Sequence, residues 1–322
     1  MENTRSIVTG AAGFIGSHLA ERLIALGHDV VGIDSFTPYY DPTIKRANVA
    51  GLLNSPRFQL IEANLATADL EPIVAGADYV FHQAAQAGVR ASWGSSFSGY
   101  TEYNVLATQR LLEALKEHRP RKVVYASSSS VYGDAALPMR ETARPQPVSP
   151  YGVTKLAAEH LCHLYRVNHG LPTVSLRYFT VYGPRQRPDM GIHKFIHAIL
   201  SGKSITVYGD GRQSRDFTYV TDIVEANILA ALTPTEETVF NIGGGTRITV
   251  RDLLALIERI SGRRANVVHA GTQHGDVGHT ASDSQRARTQ LNFAPSVDLA
   301  EGLYRQVVWH RQTLGDELAL AG

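Results

Sequence analysis

Tyr151 and Lys155 stand four residues apart in Tyr-Gly-Val-Thr-Lys, directly after Pro150. On a helix that spacing puts a phenol and an ammonium on one face. A phenol of ordinary pKa, about 10, is a poor base near neutrality. A neighbouring ammonium favours phenolate and makes it a better one. Ser127–Ser130 lies 21 to 24 residues earlier, at the end of a predicted strand. Strand ends of an open parallel sheet border the ligand crevice, which would place these hydroxyls beside the phenol. The chemistry such a set performs is proton transfer to and from a substrate hydroxyl. By itself, Tyr-x-x-x-Lys is equally a surface pair.

A second constellation narrows the chemistry. Thr9–Gly16 reads Thr-Gly-Ala-Ala-Gly-Phe-Ile-Gly, with Gly10, Gly13 and Gly16 three apart between a strand and a helix. A turn without Cβ atoms lets a pyrophosphate reach backbone N–H groups, here through Phe14 and Ile15, at the positive end of the helix. Asp34 ends the second strand, where a carboxylate accepts both ribose hydroxyls of NAD and repels the extra phosphate of NADP. No arginine adjoins it in Ser35-Phe36. Strand, glycines and acid together predict NAD, whose cationic nicotinamide further favours the phenolate.

These groups need a scaffold. Strands are predicted at Ser6–Thr9, Asp29–Ile33, Phe58–Ile61, Tyr79–His82, Lys122–Ser127 and Thr173–Phe179, several apolar on both faces. Helical spacing runs through Phe14–Leu26, Thr101–Glu117 and Tyr151–Asn168. The alternation predicts an α/β fold, a doubly wound parallel (Rossmann) sheet over residues 1–180 with a smaller C-terminal α/β substrate lobe over 181–322. Val220–Leu232 and Val239–Ile242, within a return segment of about 217–242, are expected to rejoin the first domain. Thr249–Ser261, Asn266–His269 and Leu299–Thr313 complete the lobe.

Bulk properties set limits. The 322 residues are 43% hydrophobic and 19% charged, with a net charge of +1. No global field draws nucleic acid or a membrane surface. Cys162 is the only cysteine, which excludes an intramolecular disulfide and suggests a packed core thiol. With no signal peptide and no apolar run of transmembrane length, a cytoplasmic protein is the default expectation. His193 and His197 are four apart on a predicted helix, but no general-base Glu lies between them and no third ligand is apparent. The expectation is that there is no metal site.

Over nearly its whole length the chain resembles the extended short-chain dehydrogenase/reductases. The resemblance rests on Thr9–Gly16, Asp34, His82–Ala85, Ala126–Gly133, Tyr151–Lys155, Arg177–Phe179 and Arg215–Phe217. It implies Tyr151 as general base and acid, Lys155 as ribose-binding modulator and Ser128 as the hydroxyl beside the reacting sugar oxygen. It also implies cofactor contacts from Asn64, Leu65, Ala84, Ala85 and Tyr178. Position 64 usually carries Asp in the family. Relatives that eliminate water or lose carbon dioxide carry Glu before a Val/Leu-Tyr-Gly element, where this chain has Ser129 and Ser130. That omission favours epimerisation at C4 of a nucleotide sugar through a transient ketone.

Phe179–Met190 is similar to the stretch found in UDP-glucuronate 4-epimerases, and Thr180 replaces the Asn usual in glucose-type epimerases. Arg90, Ser129, Ser130 and Thr180 are candidates to hold a C6 carboxylate; the plain alternative is a surface arginine beside a polar strand end. By resemblance Arg187, Arg215 and Asp276 contact the uridine diphosphate, with Gln273 where some relatives have arginine. The leading expectation is conversion of UDP-glucuronic acid to UDP-galacturonic acid. UDP-glucose 4-epimerase is second, then a decarboxylase or dehydratase, then a non-catalytic NAD-binding regulator. The resemblance also implies a homodimer through two long helices, Thr101–Glu117 and Tyr151–Asn168 among the candidates.

Overall fold

The computed structural model describes residues 4–271, 275 and 277–320, with side chains to 315. The first half alternates β1 (Arg5–Thr9), α1 (Phe14–Ala25), β2 (Asp29–Asp34), α2 (Pro42–Ala50), β3 (Phe58–Glu62), α3 (Glu71–Val74) and β4 (Tyr79–His82). There follow α4 (Phe97–Tyr100), α5 (Ala107–His118), β5 (Lys122–Ser128), α6 (Pro150–His169) and β6 (Thr173–Tyr178). Beyond lie β7 (Thr180–Tyr182), α7 (Gly191–Ser201), β8 (Ser204–Tyr208), β9 (Ser214–Tyr219), α8 (Val220–Leu232) and β10 (Val239–Ile242). The chain closes with β11 (Thr246–Thr249), α9 (Val250–Ser261), β12 (Asn266–Ala270), α10 (Gln285–Leu291) and α11 (Leu299–Leu320).

Seven strands form one sheet in the order β10-β6-β5-β4-β1-β2-β3, and every pairing within it is parallel. The expected doubly wound sheet is therefore present. Period-two alternation explains how it is covered. Ile7, Val31, Val80, Val123 and Tyr125 point to one face with Leu111 and Leu115 of α5 and Ala158 and Cys162 of α6. Val8, Val30, Phe81, Val124 and Leu176 point to the other, with Leu19 and Leu23 of α1 and Ile223 and Ala226 of α8. From β3 at the sheet edge the chain crosses back to β4 beside β1, and the β1/β4 junction is the switch point where ligands bind in such sheets.

The structure adds elements that short strand patterns did not reveal. β7, β9 and β11 form a small mixed sheet, and β8 pairs with β12 in parallel. Where periodicity predicts one helix over Thr101–Glu117, the segment Thr101–Leu106 is a π-helical turn that leads into α5. Such insertions concentrate at functional positions. Ser149 caps α6 by accepting from the Gly152 N–H at 3.1 Å, with Pro150 in the first turn, and Gly170 ends it in the left-handed region.

One buried network holds α6 against the sheet. Arg177 of β6, 4% exposed, forms a bidentate pair with Glu159 of α6, 6% exposed. Ser127 donates to the same carboxylate at 2.7 Å. Arg177 also donates to the Tyr132 hydroxyl at 2.8 Å, and that hydroxyl donates to Asn241 of β10 at 2.7 Å. Removing one partner would strand a buried charge. Arg177→Met should therefore lower the unfolding free energy by about 3–5 kcal/mol. Arg22→Met, at the exposed pair with Glu225, should change it by no more than about 1 kcal/mol. Urea denaturation measures both, and comparable losses would show that the buried pair is not the brace.

Candidate active site

Loops at the carboxyl ends of the strands build an open cleft whose free space, solvent included, is about 1160 Å³. The turn after β1 requires glycine at two points. Gly10 has φ +68°, and a Cβ there would meet the Ala84 nitrogen at 2.8 Å. A Cβ on Gly16 would lie 2.0 Å from the Gly10 oxygen, because α1 begins directly over the turn. Gly13 is the N-cap of α1, and no side chain caps that end. The first-turn N–H groups at Phe14, Ile15 and Gly16 line the cleft, a seat for an anion. Asp34, at the end of β2 and 8% exposed, accepts from the Ala12 N–H at 3.1 Å and the Phe36 N–H at 2.9 Å. Two backbone donors hold its carboxylate while it still borders the cleft. Asn64 likewise borders the cleft, its side-chain oxygen accepting from the Ala66 N–H at 2.9 Å. Leu65, Ala84, Ala85, Tyr151, Lys155 and Tyr178 line the same space, so all the sequence-named cofactor candidates are brought together. Anion seat, ribose-side carboxylate and apolar walls fit a dinucleotide.

Lys155 and Glu159 lie in the buried stripe of α6, and Tyr151, half-buried, stands one turn before Lys155 on the same side. The Lys155 ammonium lies 4.4 Å from the centre of the Tyr125 ring. Burial, the dominant cause, brings its pKa down to about 7. Burial pushes the Tyr151 phenol up, while Arg187 and a hydrogen bond with Ser128 pull it down. In the folded chain the cation acting most on Tyr151 is Arg187. Ser128 and Tyr178 are register partners at the ends of β5 and β6; Tyr178 lines the cleft, and from β5 the lining residues are Ala126 and Ser127.

The substrate-side candidates divide. Arg187 lines the cleft, its guanidinium forked onto Asp189 at 2.9 Å on both oxygens. Ser129 and Ser130 form a 3-10 turn after Ser128, and the Ser130 N–H donates to the Ser128 hydroxyl at 3.1 Å. Thr180 opens β7, two residues beyond Tyr178, and pairs in register with Phe217. Arg90 is exposed and stacks over the Tyr208 ring at 4.3 Å, outside the cleft lining. Arg215 donates to the Ser214 and Gly278 carbonyls at 3.0 and 3.1 Å. Asp276 and Gln273 lie outside the described residues.

Sequence reasoning missed several lining residues. Tyr39, Tyr40 and Lys45 enter from the segment after β2, and Gln83 and Gln86 from that after β4. Their signal was positional: both segments leave carboxyl ends of parallel strands, the side on which such sheets bind ligands. Asn104 of the π-helical turn was also missed. It donates to the Gln86 carbonyl and the Thr154 hydroxyl, both at 2.9 Å, joining the cleft loop to α6. The histidine reading needs correction as well. α11 brings His310 to His193 and His197, a third potential ligand that lies 113 residues beyond His197 in the chain.

Comparisons with known proteins agree with this geometry. Residues 6–243 match the model of the NAD dependent epimerase/dehydratase family. The chain is 47% identical over 310 residues to YtcB of Bacillus subtilis, described as an uncharacterised UDP-glucose epimerase, covering 94% of this chain and 96% of that protein. It is 38% identical to a probable UDP-glucuronate 4-epimerase of Rhizobium meliloti, covering 96% and 97%. Among solved structures, the UDP-glucuronic acid 4-epimerase of Bacillus cereus in complex with UDP-glucuronic acid and NAD superposes with a TM-score of 0.93. The two are 42% identical, over 96% of this chain and all of that one. Glycine turn, ribose-side acid and Tyr–Lys helix thus sit in a fold and a sequence shared along most of the chain, which belongs to the NAD-dependent epimerase/dehydratase family.

Proposed function

We propose that the chain inverts C4 of UDP-glucuronic acid, interconverting it with UDP-galacturonic acid through a 4-ketone. The observation that carries this reading is the half-buried Tyr151 phenol in the same cleft as the glycine turn, with Ser128 near enough to lower its pKa. NAD, when bound, supplies reversible hydride acceptance. The chain's own groups do the rest. N–H groups of the glycine turn hold the diphosphate, and Asp34 holds the adenosine ribose. Tyr151 takes the proton of the C4 hydroxyl and returns it to the ketone oxygen. Ser128 orients that oxygen, and Lys155 anchors the second ribose while its charge supports the phenolate.

What supports the uronic acid is the hydroxyl set at Ser129 and Ser130, in the turn after β5, and Thr180, two residues beyond the cleft-lining Tyr178, together with the Bacillus cereus likeness. A 4-ketouronic acid is a β-keto acid. It loses carbon dioxide when the breaking bond aligns with the carbonyl π system, so a seat for the carboxylate must also hold it out of alignment. Likeness to the Bacillus subtilis protein favours a second reading, UDP-glucose as substrate. A homodimer through the α5–α6 face is supported by apolar exposure along it: Val153 47%, Leu164 50% and Val167 66%.

Incubating each nucleotide sugar separately and following the anomeric NMR signals decides between the substrates. Inversion of UDP-glucuronic acid alone is expected; inversion of UDP-glucose alone overturns the assignment. Tyr151→Phe should cut kcat by at least about 100-fold, with NAD binding retained by calorimetry. Thr180→Ala or Ser130→Ala should raise the share of UDP-pentose among the products, and slower turnover at an unchanged product ratio would count against the carboxylate seat. Light scattering should show the double variant Leu164→Glu, Val167→Glu as a monomer where the parent is a dimer.

A further inference from the structure

α7 presents His193 and His197 one turn apart, their rings stacked 6.3 Å between centroids at 14°. α11 lays His310 edge-on to His193 at 4.4 Å. The candidate ligand nitrogens all lie within 4.8 Å of one another. Nδ1 of His193 faces the Gln186 carbonyl oxygen at 2.7 Å, so that nitrogen carries the proton and Nε2 keeps its lone pair. An outer hydrogen bond of this kind fixes the tautomer of metal-binding imidazoles. His310 is 2% exposed, and its Nε2 finds no hydrogen-bond partner among the described residues. A fully buried ring nitrogen in that position calls for a physical reason.

We propose that His193, His197 and His310 bind one divalent transition-metal ion of the zinc class, pinning α11 to α7. Three imidazoles without thiolate or carboxylate suit Zn²⁺, Co²⁺ or Ni²⁺ and not Mg²⁺ or Ca²⁺. Bonds of about 2.0–2.1 Å put tetrahedral ligand nitrogens roughly 3.3 Å apart. Binding therefore requires the nitrogens, now within 4.8 Å of one another, to draw closer. Gln186 already ties the two helices together, its side-chain oxygen accepting from the His193 backbone N–H and from the Gln306 side chain of α11, both at 2.9 Å. His193 and His197 are half-buried, which leaves an entry path and room for water as the fourth ligand. Arg187, next to Gln186, lines the cleft, so the ion would sit behind the loop that carries a cleft residue.

The test uses untagged full-length protein stripped with chelator and titrated with Zn²⁺, Co²⁺ and Mg²⁺ by calorimetry. One Zn²⁺ per chain is expected, with Co²⁺ giving visible ligand-field absorption and Mg²⁺ giving no heat. At roughly 100 times its Kd, Zn²⁺ should raise Tm by about 5 °C. His310→Gln and His197→Gln should each weaken Zn²⁺ binding at least about 10-fold. His163→Gln, on the exposed side of α6, should leave it unchanged. If His310→Gln does not fold, the half-buried His197→Gln carries the comparison. Absence of stoichiometric binding, or affinity unchanged in these variants, overturns the site whatever sugar the enzyme turns over.

Discussion

The site depends on the docking of one helix, and that docking depends on a buried ion pair. Tyr151, Lys155 and Glu159 are spaced by four along α6, so a single stripe carries the phenol, the ammonium and the carboxylate that meets Arg177. Arg177 lies on β6, the strand whose end presents Tyr178, and Ser127, bonded to the same carboxylate, precedes Ser128 on β5. Any shift of α6 along the sheet would break bonds to a desolvated charge, which the low-dielectric interior penalises heavily. The pair thus sets the distance between the phenol and the strand-end hydroxyl. It joins no reacting group itself.

Burial that fixes geometry also sets the charge state. The Tyr151 phenol is pushed up and the Lys155 ammonium down, each toward its neutral form. Desolvation alone would therefore disarm the pair. The compensating charge on the phenol comes from Arg187, and Arg187 is in turn held by Asp189. A guanidinium so fixed acts from a set position, so its field on the phenol needs no reorganisation during turnover. Tyr39 reaches the same Asp189 at 3.3 Å and couples the loop after β2 to this arrangement. The site is accordingly an electrostatic unit drawn from one helix and two separate loops.

His82 shows how polar groups in the sheet are kept from disturbing that unit. It is 2% exposed, and its two ring nitrogens meet the Thr9 and Thr108 hydroxyls at 2.7 and 2.9 Å. Burial brings its pKa down to about 3, so it stays neutral. Through it the strand before the glycine turn is tied to α5, while Asn104 ties the preceding π-helical turn to the loop bearing Gln86.

Features governed by neighbours in the chain were legible from the residues alone. The glycine turn, Asp34 at a strand end, the Tyr–Lys helix and the apolar strand runs of a covered sheet each rest on local patterns that the sequence records. The Arg177–Glu159 brace, the Arg187–Asp189 fork beside Tyr151, the entry of Tyr39 and Tyr40, and the arrival of His310 beside His193 were not. Each joins residues through packing that no periodicity encodes, and desolvation of the phenol depends on everything stacked around it. Spacing specified which chemical groups the chain brings; only the tertiary fold decided which charges they meet, because electrostatic strength depends on distance and burial through space.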